Sequence, residues 1–382
     1  MTAAVRWQSS GSAFTIAAAA DRLERAGRSV VRLELGVPDL PPPPEAQEAL
    51  AAALGRPSAY TPPAGLPEVR EHVAAHYSGV LGRAVAADEV LLVPGSNLVL
   101  HGVLLATVRP GDEVLLPDPG FPPYAELVRL AGAVPVGYPL RAERGHAPDP
   151  AEVAALVTPR TRLLILNTPN NPTGAVTPGA TVAALAGLAR RGGFRLLLDD
   201  AYRELVYDGS PPAAAALAPD DPVVLMDSLS KSHSLCGWRV GIAVADRRLV
   251  HDLTQLMTNL HCCMPDVVQR AVPAALRAHH RVRALAAELH TRRDLVTGRL
   301  SDMPGIRLHP PGGAFYAFPD VTATGLTDEQ FADRLLHRAG VAVVPGSLYG
   351  RHGRGHVRIA FTRPSDQLTA GMDRLHDFLE SL

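Results

Sequence analysis

The 382-residue sequence has three cysteines, no apolar run of membrane-spanning length and no surplus of charge of either sign. Each scarcity excludes a class of protein. Cys236, Cys262 and Cys263 are too few for a disulfide framework, and the adjacency of the last two disfavours pairing them with each other. That usage fits a reducing compartment, so the expected location is the cytoplasm. A membrane span needs roughly 18 consecutive apolar residues, and no stretch approaches this. The apolar run 13–20 leads straight into Asp21-Arg22-Leu23-Glu24-Arg25 and reads as an amphipathic helix, not as a signal peptide with a cleavage site. Lys plus Arg number 37 and Asp plus Glu 38, a formal net charge of −1. Neither a nucleic acid nor a membrane surface is therefore an expected partner. There is no internal repeat, and the proline run 41–44 is the only low-complexity segment, a stiff connector.

What is present describes a globular enzyme-sized chain. Apolar residues make up 47% and charged residues 20%, enough to bury a core. At about 150 residues per domain the length suggests two or three domains. Gly 33 and Pro 35 imply many tight turns. Short apolar runs at 90–93, 113–116, 163–166, 196–198, 223–226 and 240–244 are each followed by turn residues and a helical pattern. Their hydrophobicity is continuous and not alternating, as in strands buried on both faces of a mostly parallel sheet. The expected fold class is α/β. A large domain over 41–280 would hold the sheet between helices. A smaller α+β domain would be built from the N-terminal segment 1–40 and the C-terminal third, 281–382. In that third, 281–300 reads as a long helix, 313–318, 341–344 and 356–361 as strands, and 328–339 and 365–382 as helices.

Ligands of open parallel sheets bind beyond the carboxyl ends of the strands, and polar clusters follow four of the apolar runs. They are Asn-Thr-Pro-Asn-Asn-Pro-Thr-Gly at 167–174, Asp-Asp-Ala-Tyr at 199–202, Asp-Ser-Leu-Ser-Lys at 227–231 and Pro-Gly-Ser-Asn at 94–97. Singly each has an ordinary explanation as a turn, a helix cap or a solvated loop. Together they supply what a pyridine cofactor held as a Schiff base requires: an amine in Lys231, and in Asp199 a carboxylate that keeps a ring nitrogen protonated. A cofactor phosphate needs positive charge and hydroxyl or amide donors, which Ser228, Ser230, Arg239 and the helix start at Gly95-Ser96-Asn97 offer.

With these motifs the chain resembles the class I/II aminotransferases, fold-type I enzymes that use pyridoxal 5′-phosphate. The resemblance runs from Leu-Gly-Val-Pro-Asp at 35–39 to Val-Arg-Ile-Ala-Phe at 357–361. It is most specific at Asn-Asn-Pro-Thr-Gly (170–174), Asp-Asp-Ala-Tyr (199–202) and Ser-Leu-Ser-Lys (228–231) followed by Gly-Trp-Arg-Val-Gly (237–241). The resemblance implies that Lys231 carries the internal aldimine and then moves the substrate proton as base and acid. It implies that Asp199 pairs with the pyridinium nitrogen and that Asn171 and Tyr202 bond the phenolic O3′. Phe121 would stack on the ring, and Gly95, Ser96, Asn97, Ser228, Ser230 and Arg239 would hold the phosphate. Tyr60 would reach the phosphate of a neighbouring subunit, making a homodimer with shared active sites. Arg358 would grip the substrate α-carboxylate as a bidentate fork, with Asn171 beside it and Gly36 letting the backbone approach. No metal is expected: His261 with Cys262 and Cys263 lacks workable ligand spacing, although this segment lies where relatives reach toward the partner's site. His233 reads as a packing group and Trp238 as structural.

The implied reaction moves an amino group between an L-amino acid and a 2-oxo acid by a ping-pong mechanism. The same residues also support a lyase, a cyclase or a carbon–carbon bond-forming enzyme of specialised metabolism. A regulator with an aminotransferase-like domain is disfavoured, because fewer than about 40 residues precede the family motifs, too few for a DNA-binding domain of ordinary size. Two departures concern the substrate. Gly36-Val37-Pro38-Asp39 replaces the Gly-Glu-Pro-Asp or Gly-Gln-Pro-Asp of many relatives, and Asn97 stands where aspartate-selective relatives carry a lysine. Neither supports a strongly acidic substrate such as aspartate, while glutamate stays open as an amino donor.

Overall fold

A computed structural model describes residues 12–56, 59–207, 209 and 213–382. Its centre is a seven-stranded sheet formed by Val90–Pro94, Glu113–Asp118, Val134–Pro139, Thr161–Asn167, Arg195–Asp199, Val223–Ser228 and Val240–Val244. In spatial order the first strand lies beside the seventh, followed by the sixth, fifth, fourth, second and third. Six strands run the same way, and Val240–Val244 is antiparallel to both neighbours. The expected α/β class with a mostly parallel sheet is what the structure has.

The unbroken apolar runs have a direct cause. Along the strand Thr161–Asn167, Leu163 and Ile165 join the core on one face of the sheet, while Leu164 and Leu166 join the core on the other. The same alternation divides Leu196 and Leu198 from Leu197, and Leu225 from Val224 and Met226. A strand covered by helices on both sides keeps no position for a polar side chain until it emerges at its end.

Val134–Pro139 was not among the expected strands. It is one of the sheet's two edges, carries two prolines and leaves Val134 46% exposed, which suits a position paired on one side only. The expected strand 313–318 contracts to Tyr316–Ala317. The residues before it are spent on other contacts: Ala314 lies at φ 56°, and its N–H bonds Leu205 O. The expected strand 341–344 divides in two. Val341–Ala342 pairs in parallel with Val31–Arg32, and Val344–Pro345 pairs antiparallel with Val357–Ala360, which also pairs with Tyr316–Ala317.

These small sheets build a second core with the helices His279–Ser301, Asp328–Arg334 and Ser365–Glu380, through Leu33, Phe315, Tyr316, Phe331, Ile359 and Phe361 among others. The 23-residue helix His279–Ser301 covers the expected 281–300. From it the buried Arg292 donates to Asp39 Oδ1 (2.9 Å) and Thr362 O (2.7 Å). That ties the segment after Gly36 to the strand bearing Arg358. Among the described residues no helix is long and apolar enough to cross a membrane.

Candidate active site

The register of the central sheet assembles one wall of the site. Asn167 is the Cα partner of Asp199, Asp199 of Met226, and Ser228 of Gly241. Three of the four polar clusters read from the sequence therefore leave adjacent strands at the same edge. Beyond Ser228 the chain turns into the short helix Leu229–Ser232, capped by the Ser228 hydroxyl accepting from Ser230 N at 3.2 Å. That turn presents Lys231, whose Nζ donates to Gly36 O at 2.8 Å. Lys231 is the only lysine in the chain, a signal readable by counting alone.

A corner rich in hydrogen-bond donors lies beside it. The twelve-residue helix Ser96–Thr107 opens after Gly95, which sits at φ 88°, so its first N–H groups have no partner within the helix. A Cβ at Gly95 would fall 2.0 Å from Arg239 Nη2. The position thus needs glycine twice, for its backbone angle and for the guanidinium lying across it. Arg239 itself adopts φ 57° and donates to Cys236 O at 3.0 Å. The Ser228 and Ser230 hydroxyls are 2.9 Å apart. Hydroxyls, helix N–H groups and an arginine converging on one spot are a donor set for a phosphate dianion.

Asp199 is 7% exposed. Its Oδ2 accepts from the Tyr124 hydroxyl at 2.5 Å and its Oδ1 from Ala201 N at 3.3 Å. Burial pushes the carboxyl up to about 6, against the pull of the Tyr124 bond. It is a buried acid served by neutral donors, and a cationic N–H is the partner that would ionise it. Tyr124, three residues after Phe121 and edge-on to its ring, was not singled out by sequence reasoning.

Behind Asp199 lies a denser charge layer. Arg203 sits 3.3 Å from Asp227 and 3.8 Å from Asp200, and the Tyr77 hydroxyl donates to Asp227 at 2.6 Å. Asp200 is 1% exposed, neither of its carboxyl oxygens is hydrogen-bonded among the described residues, and burial pushes it up to about 8. His233 is buried on this side, bonded to the Ser232 hydroxyl at 2.8 Å and pushed down to about 3 by burial. A neutral, enclosed imidazole agrees with its reading as a packing group.

The opposite wall comes from the second core. Arg358, 5% exposed, donates to Asn171 Oδ1 (3.0 Å) and Glu34 O (2.5 Å), while its Nε has no partner among the described residues. Its guanidinium lies over the rings of Tyr316 (4.4 Å) and Tyr349 (5.2 Å). Gly36 is close-packed: a Cβ there would meet the Tyr316 hydroxyl at 2.2 Å and Phe315 at 2.7 Å. The Tyr202 and Tyr316 hydroxyls are 2.9 Å apart. Neither Tyr316 nor Tyr349 was expected, because only tertiary packing sets them against Arg358.

One structure thus joins Lys231 to Gly36 and Arg358 to Asn171 by hydrogen bonds, with Tyr316 linking Tyr202, Gly36 and Arg358 and with Asp199, Ser228 and Ser230 at neighbouring strand ends. Tyr60 stands 88% exposed, outside this constellation within a single chain. A polar cleft at the other end of the strands holds Arg83, Arg190 and Arg195, each already paired with a carboxylate.

Comparison with known proteins places the chain in a family. Residues 28–375 match the family profile of the aminotransferases of class I and II. The aspartate aminotransferase of Pyrococcus horikoshii is 34% identical over 94% of this chain and 93% of its own length. The arginine–pyruvate transaminase of Pseudomonas aeruginosa is 35% identical over 91% and 90%. Among solved structures, the alanine aminotransferase of Pyrococcus furiosus superposes with a TM-score of 0.94 at 31% identity, covering all of both chains. A pyridoxal-phosphate-dependent class of amino-group transferases is what fold and profile define. The chain belongs to the class I and II aminotransferases. It is an enzyme that transfers amino groups between amino acids and keto acids.

Proposed function

We propose that the strand-end basin holds pyridoxal 5′-phosphate on Lys231, and that the chain works there as a cytoplasmic homodimer. The observation that carries this reading is that the only lysine and a buried acid, which accepts from neutral donors among the described residues, leave one sheet edge and face an enclosed arginine on the opposite wall. The residues fit the cofactor. The Asp199 carboxyl has neutral donors only, which leaves it able to receive a pyridinium N–H. Arg239 across Gly95, Ser228, Ser230 and the N–H groups of Ser96 and Asn97 would hold the phosphate. Asn171 and Tyr202 would bond O3′, and Phe121 would cover the ring.

When bound, the cofactor supplies an electron sink for the pair left on the substrate's Cα. This chain's own groups do the rest. Arg358 binds the α-carboxylate through two parallel N–H bonds, fixing which Cα bond faces Lys231. Lys231 Nζ takes the Cα proton and returns it. Gly36 O, which accepts from Nζ at 2.8 Å, offers the free amine a hydrogen-bond acceptor. Asp199 holds the ring-nitrogen proton in place throughout.

Tyr60, 88% exposed, and Leu260, 44% exposed, support the dimer, where Tyr60 would reach the neighbouring phosphate. Three free thiols suit a reducing compartment. Asn97 at the helix start offers an amide where a second substrate carboxylate would want a cation, so a donor with an uncharged side chain suits the site best. The reading also takes 41–280 as the cofactor-binding domain, flanked by 1–40 and 281–382.

The test is spectroscopic. Wild-type protein mixed with pyridoxal phosphate is expected to develop a visible band, and borohydride to fix the label on the single lysine. Amino acids with uncharged side chains should bleach the band with formation of the keto acid. Lys231→Ala should give neither band nor label. A wild-type protein that takes up no borohydride-reducible label overturns the reading.

A further inference from the structure

Tyr316 meets Arg358, Tyr202 and the backbone of Gly36 on the substrate side of the site, and none of the roles assigned above uses it. It is 2% exposed, on the short strand Tyr316–Ala317, paired with Ala360 two residues beyond Arg358. Its ring lies 4.4 Å below the Arg358 guanidinium. Its hydroxyl is 2.9 Å from the Tyr202 hydroxyl and fills the space where any Cβ at Gly36 would go. Gly36 O in turn holds Lys231 Nζ.

The geometry points to Tyr316 as a positioning residue that joins the grip on the α-carboxylate to the hydroxyl of Tyr202. This rests on the reading above, in which Tyr202 donates to the cofactor's O3′. A phenol has one proton to give. If Tyr202 spends its proton on O3′, the 2.9 Å contact requires Tyr316 to be the donor to Tyr202. A hydroxyl that accepts a hydrogen bond becomes a better donor itself, since neighbouring bonds polarise one another. Tyr316 therefore strengthens the Tyr202 bond to O3′ and favours the ionised phenolic oxygen. Its ring independently supports the guanidinium face of Arg358. The charged groups facing the tyrosine pair are Arg358 and Asp199, and both stay in place when the Tyr316 oxygen alone is removed.

Two variants separate the hydroxyl from the ring. In cofactor-loaded Tyr316→Phe the pH midpoint of the visible band should rise by about 0.4–1 unit, with the amino-acid KM within about twofold of wild type because the ring remains under Arg358. In Tyr316→Leu the KM should rise as well, several-fold. The decisive arm is the Tyr202→Phe background, where Tyr316→Phe should move the midpoint no further, as expected of a group acting through Tyr202. A Tyr316→Phe midpoint equal to wild type, or a shift that persists undiminished in Tyr202→Phe, overturns the proposal. Failure of the wild-type protein to form a pH-dependent visible band would instead overturn the underlying reading of the site.

Discussion

The two walls of the active site are built by different physics. On the wall made by the central sheet, the groups sit where buried strands end. Neighbouring strands fix their spacing, and backbone register does the positioning. On the opposite wall, Glu34, Gly36, Tyr316 and Arg358 come from segments as much as 324 residues apart, held by side-chain contacts such as Arg358 Nη2 to Glu34 O. The first wall carries the acid and the amine, so it faces the bond-breaking chemistry. The second carries a cation braced by two aromatic rings and a carbonyl, so it faces the substrate's carboxylate. A site divided in this way should let chemistry and binding be damaged separately.

The largest expected effect tests that division on the sheet wall. Asp199→Asn keeps the shape and removes the charge that fixes a proton on the ring nitrogen. A hydrogen bond to a charged group contributes about 1.5–3 kcal/mol, so kcat should fall by about a hundredfold with KM little changed. Steady-state kinetics on one amino acid donor measures both. Equal changes in kcat and KM would break the comparison.

On the opposite wall, Arg358→Lys retains the charge but loses the planar fork that can serve a carboxylate, Asn171 and Glu34 at once. KM should rise by about tenfold or more, with the visible spectrum of the loaded protein unchanged. A variant that binds substrate normally but loses the visible band would show that Arg358 belongs to the cofactor wall instead.

The same difference explains what the sequence disclosed. Residues at strand ends are legible because an unbroken apolar run followed by Asn, Asp or Ser-Leu-Ser-Lys marks both the strand and its emergence. Asn167, Asp199, Ser228 and Lys231 follow from that pattern, and the resemblance to a family adds their roles. Arg358 was legible only through the resemblance, since nothing in Val357–Ala360 itself distinguishes it from any arginine in a strand. Tyr316 and Tyr349 were not legible at all. Their function depends on facing Arg358, which sheet pairing and loop packing decide only after folding. The edge strand Val134–Pro139 escaped for the opposite reason: with one paired side it needs no continuous hydrophobicity and tolerates prolines. Asp200 shows a further limit. Sequence places it one residue from Asp199, but only burial among Arg203, Asp227 and Tyr77 reveals that its carboxyl lacks hydrogen bonds.

That carboxyl yields the smallest expected effect, on stability and not on turnover, and it tests whether the layer behind the sheet wall is separate from the site. Asp200 is raised to about 8 by burial, with Asp227 and Asp199 adding to the rise and Arg203 opposing it. In the unfolded chain an aspartate ionises near 3.9. Between these values the folded protein holds a proton that the unfolded chain has released, so stability falls as pH rises through the window and is fully present below it. His76, His146 and His233, lowered to about 4, 4 and 3 by burial, act in the opposite sense, but only below the usual histidine value of about 6.5. Asp199, raised to about 6, is mostly ionised by then. From pH 6.5 to 8 Asp200 acts together with Asp227, whose carboxyl burial also pushes up, and the melting temperature should decline by about 2–4 °C. Asp200→Asn, which cannot ionise, should flatten that decline while leaving kcat within about twofold of wild type. Parallel melting profiles for variant and wild type would mean that Asp200 is ionised in the folded protein. A large loss of kcat would mean that the charge layer and the sheet wall form one unit.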